Sequence, residues 1–197
     1  MNSQRRPATT ISYITRGSER PQISDLEFFG RLAHQTCVEQ GLNHQQKAFF
    51  YAHWMAESEY LSFSVEPWSP QALVHQRQYN NPVLGNTMIG DDQRFRARGH
   101  ARMVGRDVYR RFSDFTQIDC LIDPDRVLDR LLRYKSWEWL WIVRGGQQAA
   151  DHADTDFERS SQQFLGYVRD HHSRQSLYRR NLKHLRRGDD HASIQSP

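Results

Sequence analysis

Between Val127 and Trp141 the chain places Val127, Leu128, Leu131, Leu132, Trp137, Trp139, Leu140 and Trp141. Asp123-Pro124 stands before this run, a cap residue followed by proline at a first helical position. Gly145-Gly146 stands after it and stops a helix. The spacing predicts a helix too apolar to sit at a surface, so it must be wrapped by the rest of the chain. Two earlier segments read as helices with their own start signals. Ser24 with Glu27 forms one capping pattern, followed by Leu26, Phe29, Leu32 and Ala33 and closed by Gly41. Asn43 with Gln46 opens the next, which holds Ala48, Phe49, Ala52, Met55 and Ala56. Asp156 to about Leu185 is helical in pattern. Strand signals are short: an extended segment at Ser62 to Val65, and a turn-rich loop from Tyr79 to Asp92 with room for a small hairpin. The expected fold class is mainly α.

A chain of 197 residues suits one domain of ordinary size. Residues 1–22 are polar and read as a flexible arm, 23–186 as the folded domain, and 187–197 as a loose charged tail. The net charge of +4 is carried by arginine more than lysine, which favours planar contacts to carboxylates or phosphates. Five Trp and eight Tyr are many for this length; they are read mainly as core, with a groove lining as the other use. Cys37 and Cys120 make no disulfide framework or zinc motif. The ten histidines show no metal-binding spacing, so neither metal nor cofactor is expected. The first residues lack the apolar core of a signal peptide, and no apolar run reaches membrane-spanning length. The expectation is synthesis in the cytoplasm without membrane insertion.

Chemistry concentrates in two places. Glu57 falls near the end of the second helix, where the helix dipole disfavours a negative charge. Glu66 follows nine positions later, just before Pro67 and Pro70. Two carboxylates flanking a groove are what glycoside hydrolysis uses: one donates a proton to the leaving oxygen, and the other activates water at a separation of roughly 6.5–9.5 Å in the inverting mode. Met55, Phe63 and Trp68 are expected as apolar neighbours. The second place is Gly90 to Phe112, GDDQRFRARGHARMVGRDVYRRF. Arg94, Arg96 and Arg98 alternate, so in a strand they would share one face. With Arg102, Arg106, Arg110 and Arg111 they also make a candidate basic patch.

In order and spacing these residues resemble the family-19 glycoside hydrolases, the group of chitinases and phage or pyocin endolysins. Glu57-Ser58 stands where that family has His-Glu-Ser, and Glu66 where it has its second Glu. Tyr79-Asn80-Asn81 matches its Tyr-x-Asn loop, and Gly90, Asp91, Phe95, Arg96, Arg98 and Gly99 match its Gly-Asp-Gly segment. Gly105, Arg106 and Tyr109 continue the match. Trp139-Leu140-Trp141, Asp156-Phe157-Glu158, Arg174 and Tyr178 resemble later family positions. The resemblance implies a lysozyme-like fold with a small β-hairpin or extended segment beside the cleft. It implies Glu57 as general acid and Glu66 as base. Arg96 and Arg98 would shape the cleft and hold carboxylates, Tyr79 and Asn81 would border the sugar, and Trp68 and Arg102 would join the substrate contacts.

The family's His is Ala56 here, the Gly between its arginines is Ala97, its Gln is Arg102 and its Thr is Val104. The resemblance makes the favoured expectation a peptidoglycan hydrolase, muramidase- or endolysin-like, acting on glycan strands in the periplasm after release or delivery. Lysis or secretion machinery, or an immunity protein, would be its protein partners. The alternative is a catalytically inactive saccharide-binding or structural protein on the same scaffold. A nucleic-acid partner rests on the arginine segment alone and is not expected.

Overall fold

A computed structural model describes residues 24–67, 82–166, 168 and 170–188. The expected arm, the loop positions Trp68, Tyr79 and Asn81, and nearly all of the tail lie outside these residues. The described chain is mainly helical, in the order α1 (Asp25–Glu39), α2 (His44–Glu57), α3 (Asp91–Arg94), α4 (Arg106–Thr116), α5 (Arg130–Val143), α6 (Gly146–Ala150), α7 (Phe157–Leu165) and α8 (His171–Arg186).

The local start and stop signals act as read. Ser24 Oγ accepts from the Glu27 amide at 3.2 Å, although the Glu27 carboxylate turns to Arg31 rather than completing a box. Asn43 and Gln46 form a full capping box, with both hydrogen bonds at 2.9 Å. Gly41 adopts φ +62° and ends α1.

Every residue of α2 from Ala48 to Met55 is buried. A helix covered on all sides lies inside the protein, so α2 forms the axis on which α8, α6 and α7 pack. α5 separates two apolar clusters. Tyr134, Trp137 and Trp141 join the α2 cluster of Phe49, Phe50, Trp54 and Phe164. Leu132 and Trp139 face a smaller cluster with Phe95, Met103, Tyr109 and Phe112. Ring edges meet ring faces in many of the pairs, as with Phe50 on Trp141 at 5.1 Å and 75°, the arrangement that aromatic quadrupoles prefer.

Three expectations are corrected. The helix expected from Asp123-Pro124 begins as a 3-10 turn, Pro124–Leu128. Asp129, at φ −54° and ψ 135°, then breaks the chain direction before α5. The single helical pattern from Asp156 to Leu185 is two helices, because Gly166 turns to φ +85° after α7. The small hairpin is not formed among the described residues: the loop holds a 3-10 turn, Pro82–Leu84, and then α3. Among the described residues, strand pairing is confined to two single-residue antiparallel bridges, Val65 with Arg98 and Arg98 with Met103.

Arg94, Arg96 and Arg98 accordingly share no strand face. Gly90 enters the left-handed region at φ 86°, and Asp91 accepts from the amides of Thr87 and Met88 at 3.1 and 3.0 Å. These bonds tighten the chain into α3. Asp91 is 2% exposed and also takes two hydrogen bonds from Arg106 at the start of α4. One carboxylate thus ties the loop to the next helix.

The Arg106 guanidinium, then the Met88 and Thr87 amides, hold the Asp91 carboxyl below the ordinary carboxylate range, and burial works against them. A depressed folded value contributes stability that is complete above the unfolded value of about 4 and is lost as pH falls through the folded value. Asp91→Asn should cost about 2–3 kcal/mol at pH 7, a fall of roughly 4–10 °C in Tm. Its melting temperature should also drop less steeply than the parent's below about pH 4. Thermal melts at pH 7 and pH 3 check this; parallel pH curves for the two proteins would contradict it.

Candidate functional site

Glu57 is the last residue of α2, and its side chain is 18% exposed. Arg174 of α8 donates to its Oε1 at 2.7 Å, and Arg102 Nε lies 4.0 Å from its Oε2. Arg102 Nε also donates to the Glu57 backbone carbonyl at 2.8 Å, one of the orphan acceptors at a helix end. Two cations therefore offset the unfavourable position of a carboxylate at a helix C-terminus. Among the described residues the groups paired with the carboxyl are guanidiniums; Trp68, one of the apolar neighbours expected from sequence, lies outside them. Phe63 is present, but Arg102 covers its ring at 4.1 Å.

Arg174 is itself fixed from behind. Its Nη1 lies 3.3 Å from Nδ1 of His53, and His53 Nε2 lies 3.1 Å from Ser161 Oγ. Ser161 donates to the Phe157 carbonyl at 2.8 Å. A guanidinium only donates, so Nδ1 accepts and the imidazole proton sits on Nε2, pointing at Ser161. His53 is fully buried and stacked on Phe157 with an interplanar angle of 5°. Burial first, then the Arg174 and His171 charges, hold its pKa well below the ordinary histidine value. A neutral imidazole thus accepts from Arg174, which in turn grips Glu57.

Just beyond Glu57, three consecutive non-glycine residues are left-handed: Glu59 (φ 48°), Tyr60 (54°) and Leu61 (71°). Such conformations cost of order 1–3 kcal/mol each and persist where the surroundings over-determine them. Here the Tyr60 amide donates to Met55 O at 2.8 Å and the Phe63 amide to Ser58 O at 2.9 Å. Ser58 Oγ accepts from the Leu61 amide at 3.1 Å. Arg102, also left-handed at φ 50°, pairs with Glu59.

Glu66 lies across the arginine segment. Its amide donates to Ala97 O at 2.9 Å, and the Ala97 amide lies 3.5 Å from its Oε2. The turn from Ala97 to Arg102 therefore touches Glu66 at one end and Glu57 at the other. Gly99 makes this turn possible. It holds φ +74°, and a Cβ there would meet Ser136 Oγ at 2.5 Å. Ser136 Oγ in turn accepts from the Ala101 amide at 3.1 Å.

The remaining expected residues divide. Arg98 is 3% exposed. Its guanidinium serves Asp125 at 2.7 Å, the carbonyls of Arg94 and Arg96 at 2.9 and 3.2 Å, and Tyr109 Oη at 3.1 Å. It holds a carboxylate, that of Asp125 in the 3-10 turn before α5. Arg96 is partly exposed and donates to Gln93 O at 3.1 Å. His53 and Ser161 were not singled out by sequence reasoning, and Arg174 only as part of the resemblance. Their meeting joins α2, α7 and α8, and no local pattern marks it. Among the described residues, no cluster of His, Cys, Asp and Glu could hold a metal ion. No family model matches the chain, and no curated protein is significantly similar to it.

A double-mutant cycle on Glu57 and Arg174, read by urea denaturation, should give a coupling of about 1.5–3 kcal/mol. The more exposed Arg102–Glu59 pair should give under about 1 kcal/mol. Equal coupling for the two pairs would contradict the distinction drawn here.

Proposed function

We propose that the chain is a lysozyme-like peptidoglycan hydrolase, cutting glycan strands with inversion and acting as a lytic or antibacterial protein on the cell wall. The observation that carries the reading is the shared turn. Glu57, through its backbone carbonyl, and Glu66, through its carboxylate, both contact the segment Ala97–Arg102; the resemblance makes these residues acid and base. The Glu57 carboxylate itself lies 4.0 Å from Arg102 Nε, so the same short turn reaches both acidic residues. The mainly helical build is of the kind the resemblance implies.

In this reading Glu57 gives a proton to the leaving glycosidic oxygen, and Glu66 takes one from the attacking water. Arg174 and Arg102 fix the orientation of Glu57. Pre-set geometry of this kind lowers the barrier, because the positioning cost is met in folding rather than at the moment of reaction. The strained turn at Glu59 to Leu61 holds the end of α2 against Arg102. Delivery across the membrane would fall to lysis or secretion machinery, and an immunity protein would be the matching inhibitor in a producing cell.

Two observations favour a second reading, a catalytically inactive saccharide-binding or structural protein. The Glu57 carboxyl is already engaged by Arg174 at 2.7 Å, and Ala56 stands where the family has His.

Muropeptide release from purified sacculi separates the two. The parent chain should release fragments. Glu57→Gln and Glu66→Gln should each slow release by roughly 10²–10⁴-fold while still binding sacculi. Binding without release by the parent would leave the inactive reading in place, and neither binding nor release would remove both.

A further inference from the structure

Most guanidiniums of the arginine segment are already engaged within the protein. Arg94 donates to the carbonyls of Leu121 and Ile122, each at 2.8 Å. Arg98 pairs with Asp125, Arg102 with Glu59, Arg106 with Asp91 and Arg110 with Asp107. These guanidiniums are engaged in holding the loop and α4.

A second concentration of positive charge lies on α8. Between His171 and Arg187 the chain has six Lys or Arg and no Asp or Glu, more positive charge than the whole chain's net +4. Residues 90–112 hold seven Arg but also three Asp, so α8 is the run whose cations are undiluted by acids of its own. Leu177, Tyr178, Leu182 and Leu185 bury one face of that helix. Arg179, Lys183 and Arg187 stand four residues apart on an exposed flank, about 6 Å apart along the axis. None of the three side chains makes an ion pair or hydrogen bond with a described residue. Like charges at this spacing repel one another, a local cost that folding alone does not require.

This flank is one wall of a groove of about 480 Å³. Its other wall is the turn between α6 and α7, at Ala153 and Asp154. Asp154 is the only acid in the lining, and it is already engaged: Tyr178 Oη donates to it and Arg186 pairs with it at 3.1 Å. The groove is therefore a cationic trough with its internal carboxylate neutralised. Its lining has no exposed aromatic ring on which a nucleic-acid base could stack. Guanidinium forks match carboxylates in two-point contacts. The same helix carries Arg174, which grips Glu57 from a position five residues before Arg179, about 7.5 Å along the axis.

We propose that the groove between α8 and the Ala153–Asp154 turn is an anion-binding exosite, in which Arg179, Lys183 and Arg187 take the carboxylates of peptide stems on the wall polymer. The inference deepens the hydrolase reading and rests on it for the choice of polymer. The exosite holds the polymer by charge, in a salt-dependent manner, and takes no part in bond cleavage.

The test uses the full chain carrying Glu57→Gln, so that sacculi stay intact, in a sedimentation assay across a salt series. Adding Arg179→Ala, Lys183→Ala and Arg187→Ala should weaken sacculus binding about tenfold or more and flatten its dependence on salt. Arg179→Lys with Arg187→Lys keeps the charge and should keep most of the binding. Arg111→Ala with Arg144→Ala removes exposed charge elsewhere and should change little. Unaltered binding in the triple variant would overturn the proposal, as would an equal loss in the Arg111/Arg144 variant. A parent that binds single-stranded DNA through these residues but not sacculi would overturn it too. A parent with groove-dependent sacculus binding but no muropeptide release would uphold the exosite while removing the hydrolase reading.

Discussion

The structure turns on a buried polar chain that runs from the Phe157 carbonyl through Ser161, His53 and Arg174 to Glu57. An arginine that is 7% exposed requires partners for its charge and its donors, since an unpaired buried cation is severely penalised. Glu57 supplies the charge, and the neutral His53 supplies an acceptor that adds no second positive centre. The result joins the end of α2 to α8 and orients one carboxylate at the protein surface. An apolar contact would join the same helices but would leave the carboxyl free to turn.

Around that chain the two clusters divide the work. The larger cluster buries α2 and fixes where its last residue emerges. The smaller one, beneath the arginine segment, fixes the turn from Ala97 to Arg102. α5 belongs to both, so the position of the turn relative to α2 is set by tryptophans on opposite flanks of one helix. The guanidiniums of Arg98 and Arg106 then act inward: Arg106 holds the buried Asp91, and Arg98 ties carbonyls of its own segment to Asp125 of the 3-10 turn.

Features with local causes were legible in the sequence. The caps at Ser24 and Asn43, the stop at Gly41 and the helical pattern of each long segment all depend on residues within one or two turns. The place of Glu57 at the end of its helix followed from them. Two boundaries were misread because the apolar pattern continues through them: Asp129 and Gly166 each redirect the backbone while neighbouring side chains keep a helical period. The alternation of Arg94, Arg96 and Arg98 suggested a strand, but the Asp91 carboxylate and the left-handed Gly90 draw the start of that segment into a helical turn. The left-handed run at Glu59 to Leu61 has no glycine or asparagine to announce it. The partners of Glu57 were least legible of all, because Arg174 and His53 meet only after three helices have packed.

This account depends on a particular protonation state in the core, which 15N NMR of the His53 side chain observes directly. It requires a neutral ring between pH 5 and pH 8, with Nε2 carrying the proton and Nδ1 bare, accepting from Arg174. A charged imidazole in that range, or a ring protonated on Nδ1, would contradict the chain of donors and acceptors that orients Glu57.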